Sequence, residues 1–225
     1  STGSIGDSAI RVARELPERV EIVAMAAGRN GARLAEQANA LRPRAICLSD
    51  AAGVADMRGR LDYEPRVFAG EEGLCELVGS VEADTVLVAI VGTAGLRPAL
   101  AAVEAGLDLA VASKEILVMA GEQVMGAAAA RGVRVLPVDS EHNAIFQCLE
   151  GRDPATVRRL ILTASGGPFR TWERSRLASV TPEEALNHPT WNMGPKITID
   201  SATLFNKGLE MIEAKWLFGV AMDRI

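Results

Sequence analysis

No run of basic residues occurs in this sequence, and its net charge is −5. A surface built to hold nucleic acid is therefore not expected. No apolar stretch reaches the length of a membrane span, and no signal-peptide pattern is visible, although Ser1 need not be a natural start. The three cysteines, Cys47, Cys75 and Cys148, are odd in number and lack metal-site spacing. They read as small buried hydrophobes in a reducing compartment. Internal repeats and low-complexity tracts are missing too. What remains is an ordinary globular composition, 48% hydrophobic and 24% charged over 225 residues, enough for one large domain or two small ones.

Along the first 138 residues, short apolar runs alternate with helical spacing. Strands are expected at 20–26, 44–48, 66–70, 85–92, 107–113 and 133–138. Helices are expected at 7–16, 31–41, 50–61, 71–79, 93–106 and 115–132. Strands that are apolar on both faces and joined by helices imply a parallel sheet covered on both sides, an α/β architecture. After residue 150 the texture changes. RRLILTAS (158–165) and KITID (196–200) read as strands, and residues 201–219 read as one helix. Between them lies a polar stretch rich in Gly, Ser and Arg, expected to be mobile over about 166–194. It contains TPEEAL, with Thr181, Pro182 and Glu184 set out as a capping box.

Three local patterns carry chemistry. VLPVDSEHNAIFQ (135–147) puts Asp139 and Glu141 directly after a buried run. If residues 139–141 stay extended, both carboxylates face one way and invite a divalent cation. Alternatively, Asp139 or Ser140 caps the following helix. The opening STGSIG has Gly3 and Gly6 at a helix start, which suits a loop approaching a pyrophosphate, or a plain glycine turn. After the strand at 20–26 comes Gly28-Arg29-Asn30, where an NAD-binding fold would place an acidic residue. Arg29 suits the 2′-phosphate of NADP, or is simply solvated. A strand is expected before the glycine loop, so the sequence reads as starting inside a motif.

The segments STGSIG, AGRN, AIVGTAGL, SKE, LPVDSEHNAIFQ, TASGGPF, HPTWNMGPKITIDSATLFNKGLE and IEAKWLF, in this order, make the chain similar to the 1-deoxy-D-xylulose 5-phosphate reductoisomerase family. The likeness runs across essentially the whole chain. It implies a Rossmann-like parallel-sheet NADPH-binding domain (1–139) followed by part of an α+β catalytic domain (140–225). It also implies a piece of a longer enzyme, without the opening strand, the rest of the catalytic sheet and a C-terminal helical domain. The implied reaction is NADPH- and metal-dependent isomerisation and reduction of 1-deoxy-D-xylulose 5-phosphate to 2-C-methyl-D-erythritol 4-phosphate, in the methylerythritol phosphate route to isoprenoids. The implied enzyme is a cytoplasmic oxidoreductase of bacteria, with a plastid location left open, and a homodimer at full length. Its partner is a small phosphosugar, with no nucleic acid and no membrane.

The resemblance also assigns residues. Asp139, Glu141 and Glu210 match the ligands of Mg²⁺, Mn²⁺ or Co²⁺, and with Lys114 they form the catalytic set. Substrate contacts match Lys114, Ser140, Glu141, Ser165, His188, Trp191, Ser201, Asn206, Lys207 and Glu210. Of these, Ser165, Ser201, Asn206 and Lys207 are the phosphate-pocket residues. Cofactor contacts match Thr2, Gly3, Ser4, Ile5, Gly28, Arg29, Asn30, Ser113, Glu115 and Gly194. One position departs: the family usually has Asn where Ser113 stands. Two other readings are a nucleotide-binding sensor without chemistry and a different NADP oxidoreductase. Asp139, Glu141, Glu210, Lys114 and Lys207 speak against the first, and the carboxylates would stand idle in the second.

Overall fold

The computed structural model describes residues 1–225, apart from the side chain of Pro154. Two compact units divide between Val138 and Asp139. The first unit alternates helix and strand: α1 (Ser4–Glu15), β1 (Ala24–Ala27), α2 (Gly31–Leu41), β2 (Ala45–Leu48), α3 (Val54–Gly59), β3 (Arg66–Ala69), α4 (Gly70–Val78), β4 (Thr85–Val88), α5 (Leu96–Glu104), β5 (Asp108–Val111), α6 (Glu115–Arg131) and β6 (Val135–Pro137). All strand pairings are parallel, as two three-stranded sheets ordered β1-β2-β3 and β4-β5-β6.

The centre of the first sheet explains why both faces had to be apolar. Every residue of β2 is buried. Ile46 and Leu48 pack with Ile10, Leu34 and Met57 from the helices on one face. Ala45 and Cys47 pack with Leu74 and Leu77 of α4 on the other. Each fully buried aliphatic side chain of this kind stabilises the fold by about 1.5–3 kcal/mol. Beside the second sheet, Gly95 just before α5 leaves no room for a side chain: a Cβ would lie 2.9 Å from Val88 Cγ1 and 3.2 Å from Ile116 Cδ1.

The differences from expectation are local. The helix expected at 50–61 is a 3₁₀ turn, Ala51–Gly53, running into α3, because Asp50 caps the turn through the amide of Ala52. The strand expected at 85–92 stops at Val88, and Val91 is 75% exposed. α6 carries a non-helical residue at Ala120. Only Cys47 is buried, where burial pushes its thiol up to about 11; Cys75 is half-buried and Cys148 exposed.

The second unit contains α7 (Ser140–Leu149), α8 (Pro182–Leu186), α9 (Pro195–Ala202) and α10 (Phe205–Phe218). Among the described residues it has no assigned strand. The stretch 158–165 is not in a ladder; Leu160 N–H donates to Arg224 C=O at 2.8 Å, and that contact does not make a sheet. KITID is helix α9, not a strand. Its β-branched residues suggested extension, but Pro195 pre-sets the first turn, Thr198 Oγ1 bonds back to Gly194 C=O, and Lys196 pairs with Asp200 at i,i+4. The helix expected over 201–219 is broken at Leu204, which has φ 59 and separates α9 from α10. The stretch 166–194 has structure of its own. Thr181 and Glu184 form the capping box, Arg174–Ser179 forms a 3₁₀ segment, and Arg176 stacks over Trp172 at 4.1 Å.

Candidate metal and cofactor sites

Pro137 ends β6, and the chain turns through Asp139 (φ −56, ψ 134) into α7. Residues 139–141 are therefore not extended: Asp139 is the N-cap position, and Glu141 lies in the first turn. The backbone follows the capping alternative, yet Asp139 makes no side-chain cap bond. Its carboxylate turns instead toward Glu141 and Glu210 of α10. Ligand oxygens of the three lie within 4.8 Å of one another. At an effective dielectric of 20, two unit charges about 4 Å apart repel by about 4 kcal/mol. A triad of hard oxygen donors at this spacing fits a divalent cation such as Mg²⁺ or Mn²⁺, with no thiolate to favour softer metals.

Local partners support the cluster. Glu210 is 1% exposed. Asn206, one turn earlier on α10, donates to its Oε1 at 2.5 Å, and the Lys207 ammonium contacts its Oε2. The same ammonium lies 3.4 Å from Glu141 Oε1 and also donates to Thr163 C=O. Burial pushes the Glu141 carboxyl up; the charge of Glu210 and a hydrogen bond with Asp139 add to that, and Lys207 opposes it.

A group of short donors forms in the same unit. His188 Nδ1 accepts the amides of Thr190 and Trp191 at 3.2 and 2.9 Å, so its proton is on Nε2 and is donated to Ser165 Oγ at 3.0 Å. Gly167 N–H also points at Ser165 Oγ. With its oxygen accepting twice, the Ser165 hydroxyl hydrogen is left to donate outward. Gly167 (φ +69) packs so closely on α9 that a Cβ would lie 2.9 Å from the carbonyl oxygen of Ser201. Trp191 is 60% exposed in the following loop, and Ser140 is exposed at the start of α7.

In the first unit, the cofactor candidates gather at the carboxyl ends of the parallel strands, where open α/β sheets bind ligands. Gly3 is the N-cap of α1, Thr2 is half-buried, and Ser4 and Ile5 are exposed in the first turn. The helix start has no side-chain cap, and its amide ends suit an anion. Asp7 ties α1 to α2 through Arg33 and Gln37. Gly28, Arg29 and Asn30 follow β1 and are exposed, and Asn30 caps α2 through Arg33 N–H. Ser113, Lys114 and Glu115 follow β5; Lys114 is buried and Glu115 opens α6. Gly194 is not in this unit; it caps α9 in the second.

Residues 1–121 match the family described as 1-deoxy-D-xylulose 5-phosphate reductoisomerase, and residues 135–218 match its C-terminal domain. The chain belongs to the 1-deoxy-D-xylulose 5-phosphate reductoisomerase family. The reductoisomerase of Symbiobacterium thermophilum is 56% identical, with 100% of this chain and 59% of that protein covered. That of Anaeromyxobacter dehalogenans is 53% identical, covering 100% and 58%. A crystal structure of a reductoisomerase with NADPH, fosmidomycin and magnesium superposes with a TM-score of 0.91 at 41% identity, covering 100% of this chain and 58% of that one. The Zymomonas mobilis reductoisomerase with NADPH gives 0.91 at 42% identity, covering 99% and 57%. The chain thus spans a little under three fifths of the length of these relatives.

Within this reductoisomerase-family chain, two side chains near the triad escaped the sequence reading. His142 and Glu213 are fully buried. His142 Nε2 is 2.9 Å from Glu210 C=O, and Nδ1 is 3.4 Å from Glu213 Oε2. Both ring nitrogens face oxygen atoms, and these contacts tie α7 to α10 behind the carboxylates. With Asp139, the pair is a second group of possible metal ligands. Its two inner members are engaged with each other, whereas the Glu141 and Glu210 side is reached by Lys207. The signal was spacing: Glu213 follows Glu210 by three residues on the same helix face. Ser113, the family departure, donates its hydroxyl to Ile90 C=O at 2.5 Å. Its only hydrogen is thereby committed to the loop after β4.

Proposed function

We propose that the protein at its full natural length converts 1-deoxy-D-xylulose 5-phosphate to 2-C-methyl-D-erythritol 4-phosphate with NADPH and a divalent cation. The observation that carries this reading is the convergence of Asp139, Glu141 and Glu210 within 4.8 Å at the start of α7 and on α10. These three would hold the cation, which when bound supplies Lewis acidity toward the substrate's carbonyl and hydroxyl oxygens. The exposed start of α1 would hold the pyrophosphate of NADPH and Arg29 its 2′-phosphate, and the bound cofactor would supply the hydride.

The chain's own groups do the rest. Ser165 donates its outward hydroxyl hydrogen to the substrate phosphate, held in place by His188 and Gly167. Ser201, Asn206 and Lys207 complete the phosphate pocket, and an ammonium with short donors suits a dianion. Lys114 stabilises developing negative charge on substrate oxygen. Residues 166–194, with Trp191 at their far end, close over the substrate and exclude water. The protein acts as a homodimer in the bacterial cytoplasm.

The test is NADPH oxidation by the full-length protein with deoxyxylulose phosphate, with and without Mn²⁺. Metal-dependent oxidation is expected with this substrate alone. Oxidation that ignores Mn²⁺, or none with this phosphosugar, would overturn the reading.

A further inference from the structure

Lys207 stands apart from the other pocket residues because it touches two of the three carboxylates. Its ammonium contacts Glu210 Oε2 and lies 3.4 Å from Glu141 Oε1. Those are oxygens that a divalent cation would also take. We propose that Lys207 is an internal cation competing with the metal for Glu141 and Glu210, and that a phosphate drawing the ammonium away strengthens metal binding. The inference rests on the proposed metal and phosphate sites and adds a coupling between them.

The geometry carries it in three steps. The ammonium and a divalent cation cannot both sit against Glu210 Oε2 without repulsion between like charges, so binding of one weakens the other. Only 19% of the Lys207 side chain is exposed, so its contacts are made with little water in between. The lysine also has a partner other than the carboxylates: its ammonium donates to Thr163 C=O, two residues before Ser165 of the proposed phosphate pocket. Linkage then requires reciprocity, with phosphate tightening metal and metal tightening phosphate.

The experiment is Mn²⁺ titration of the full-length protein, followed by calorimetry and by the electron paramagnetic resonance of free Mn²⁺, without substrate or NADPH. Lys207→Gln should bind Mn²⁺ at least tenfold more tightly, a factor equal to about 1.4 kcal/mol. Lys196→Gln, which removes an exposed cation paired with Asp200 on α9, should change affinity less than twofold. Inorganic phosphate, after subtraction of a protein-free titration, should tighten Mn²⁺ binding in the wild type and not in Lys207→Gln. Removing Lys207 also leaves Glu210 with less compensation, so Mn²⁺ should raise the melting temperature of Lys207→Gln, and of Lys207→Met, more than that of the wild type. Equal or weaker Mn²⁺ binding by both variants, or a phosphate effect that persists in them, overturns the proposal. If Glu210→Gln still abolishes Mn²⁺ binding in that case, the metal site stands and only the competition fails. No Mn²⁺ binding in any form overturns both.

Discussion

The two units bury different things. In the first, the largest fully buried side chains are apolar, among them Leu34, Ile46, Leu48, Met57, Leu109, Ile116 and Leu117. In the second, they are His142, Glu210 and Glu213. An apolar interior stabilises in proportion to the area it removes from water. A charged one must first recover the cost of desolvation through its partners. Asn206, Lys207 and the His142–Glu213 contact are those partners. The first unit is thus held by an apolar core, while the largest buried side chains of the second are polar groups held by one another.

The sharpest way to break this contrast is to remove one charge from the second unit. In the full-length protein, Glu210→Gln should lower the proposed turnover by more than a thousandfold, since a neutral amide is a poor cation ligand. NADPH affinity should stay within about threefold, because the proposed cofactor residues other than Gly194 lie in the first unit. Steady-state kinetics and NADPH titration check both halves. Near-wild-type turnover at low Mn²⁺ would remove Glu210 from the ligand set.

The converse change belongs to the first unit. Ile46→Ala should cost about 2–5 kcal/mol of stability, the range for truncating an enclosed aliphatic side chain. Urea unfolding measures it. Mn²⁺ affinity of the folded variant should be unchanged; a parallel loss would show that the units do not separate stability from ligation.

The same contrast explains what could be read in advance. In the first unit, periodicity located each strand and helix to within about four residues, most closely at β2, where burial of every residue writes a clear apolar pattern. In the second unit, pattern located the Thr181–Glu184 capping box but misread two segments. KITID has strand propensity but forms α9, since Pro195, Thr198 and the Lys196–Asp200 pair act locally. The stretch 158–165 has strand composition without a ladder. Asp139, Glu141 and Glu210 were nevertheless named from the resemblance, and their oxygens converge. His142 and Glu213 were missed because a buried polar contact leaves no apolar trace. The Leu204 break was missed because leucine seldom adopts positive φ.

Smaller changes sharpen the comparison on the ligand side. Arg29→Asp should weaken NADPH binding by about 1.5–3 kcal/mol, the range for a hydrogen bond to a charged group, and shift preference toward NADH. An unchanged Michaelis constant for NADPH would leave Arg29 a solvated side chain. In the second unit, Gly167→Ala should cost about 1–2 kcal/mol, because it strains a positive φ. It also presses a Cβ against the Ser201 carbonyl. The displacement should move Ser165 and Ser201 apart and raise KM for the phosphosugar more than it lowers kcat. The reverse split would place this contact outside the phosphate pocket.

The weakest effect separates the units by sign. Hydrogen bonds from the Arg134 side chain and backbone hold the Asp108 carboxyl below its usual range. A depressed carboxyl pKa contributes stability that is present above its unfolded value and is lost as pH falls through the folded one. The first unit should therefore weaken in acid below about pH 4, by no more than about 1 kcal/mol from this half-solvated pair. Glu141 in the second unit behaves oppositely. Burial, then Glu210, then Asp139 raise its pKa, so its contribution is full below the unfolded value and is lost as pH rises through the raised one. With a chelator present, so that no divalent cation re-pairs the carboxylates, Glu141→Gln should be more stable than the wild type at pH 7, and the gain should vanish toward pH 4. Asp108→Asn should be less stable at pH 7, with the loss vanishing below pH 3. Urea midpoints across this pH range give both curves. Two curves bending the same way would show that the carboxylates of the second unit are as well compensated as the surface pair of the first, and the contrast between the units would fail at its charged end.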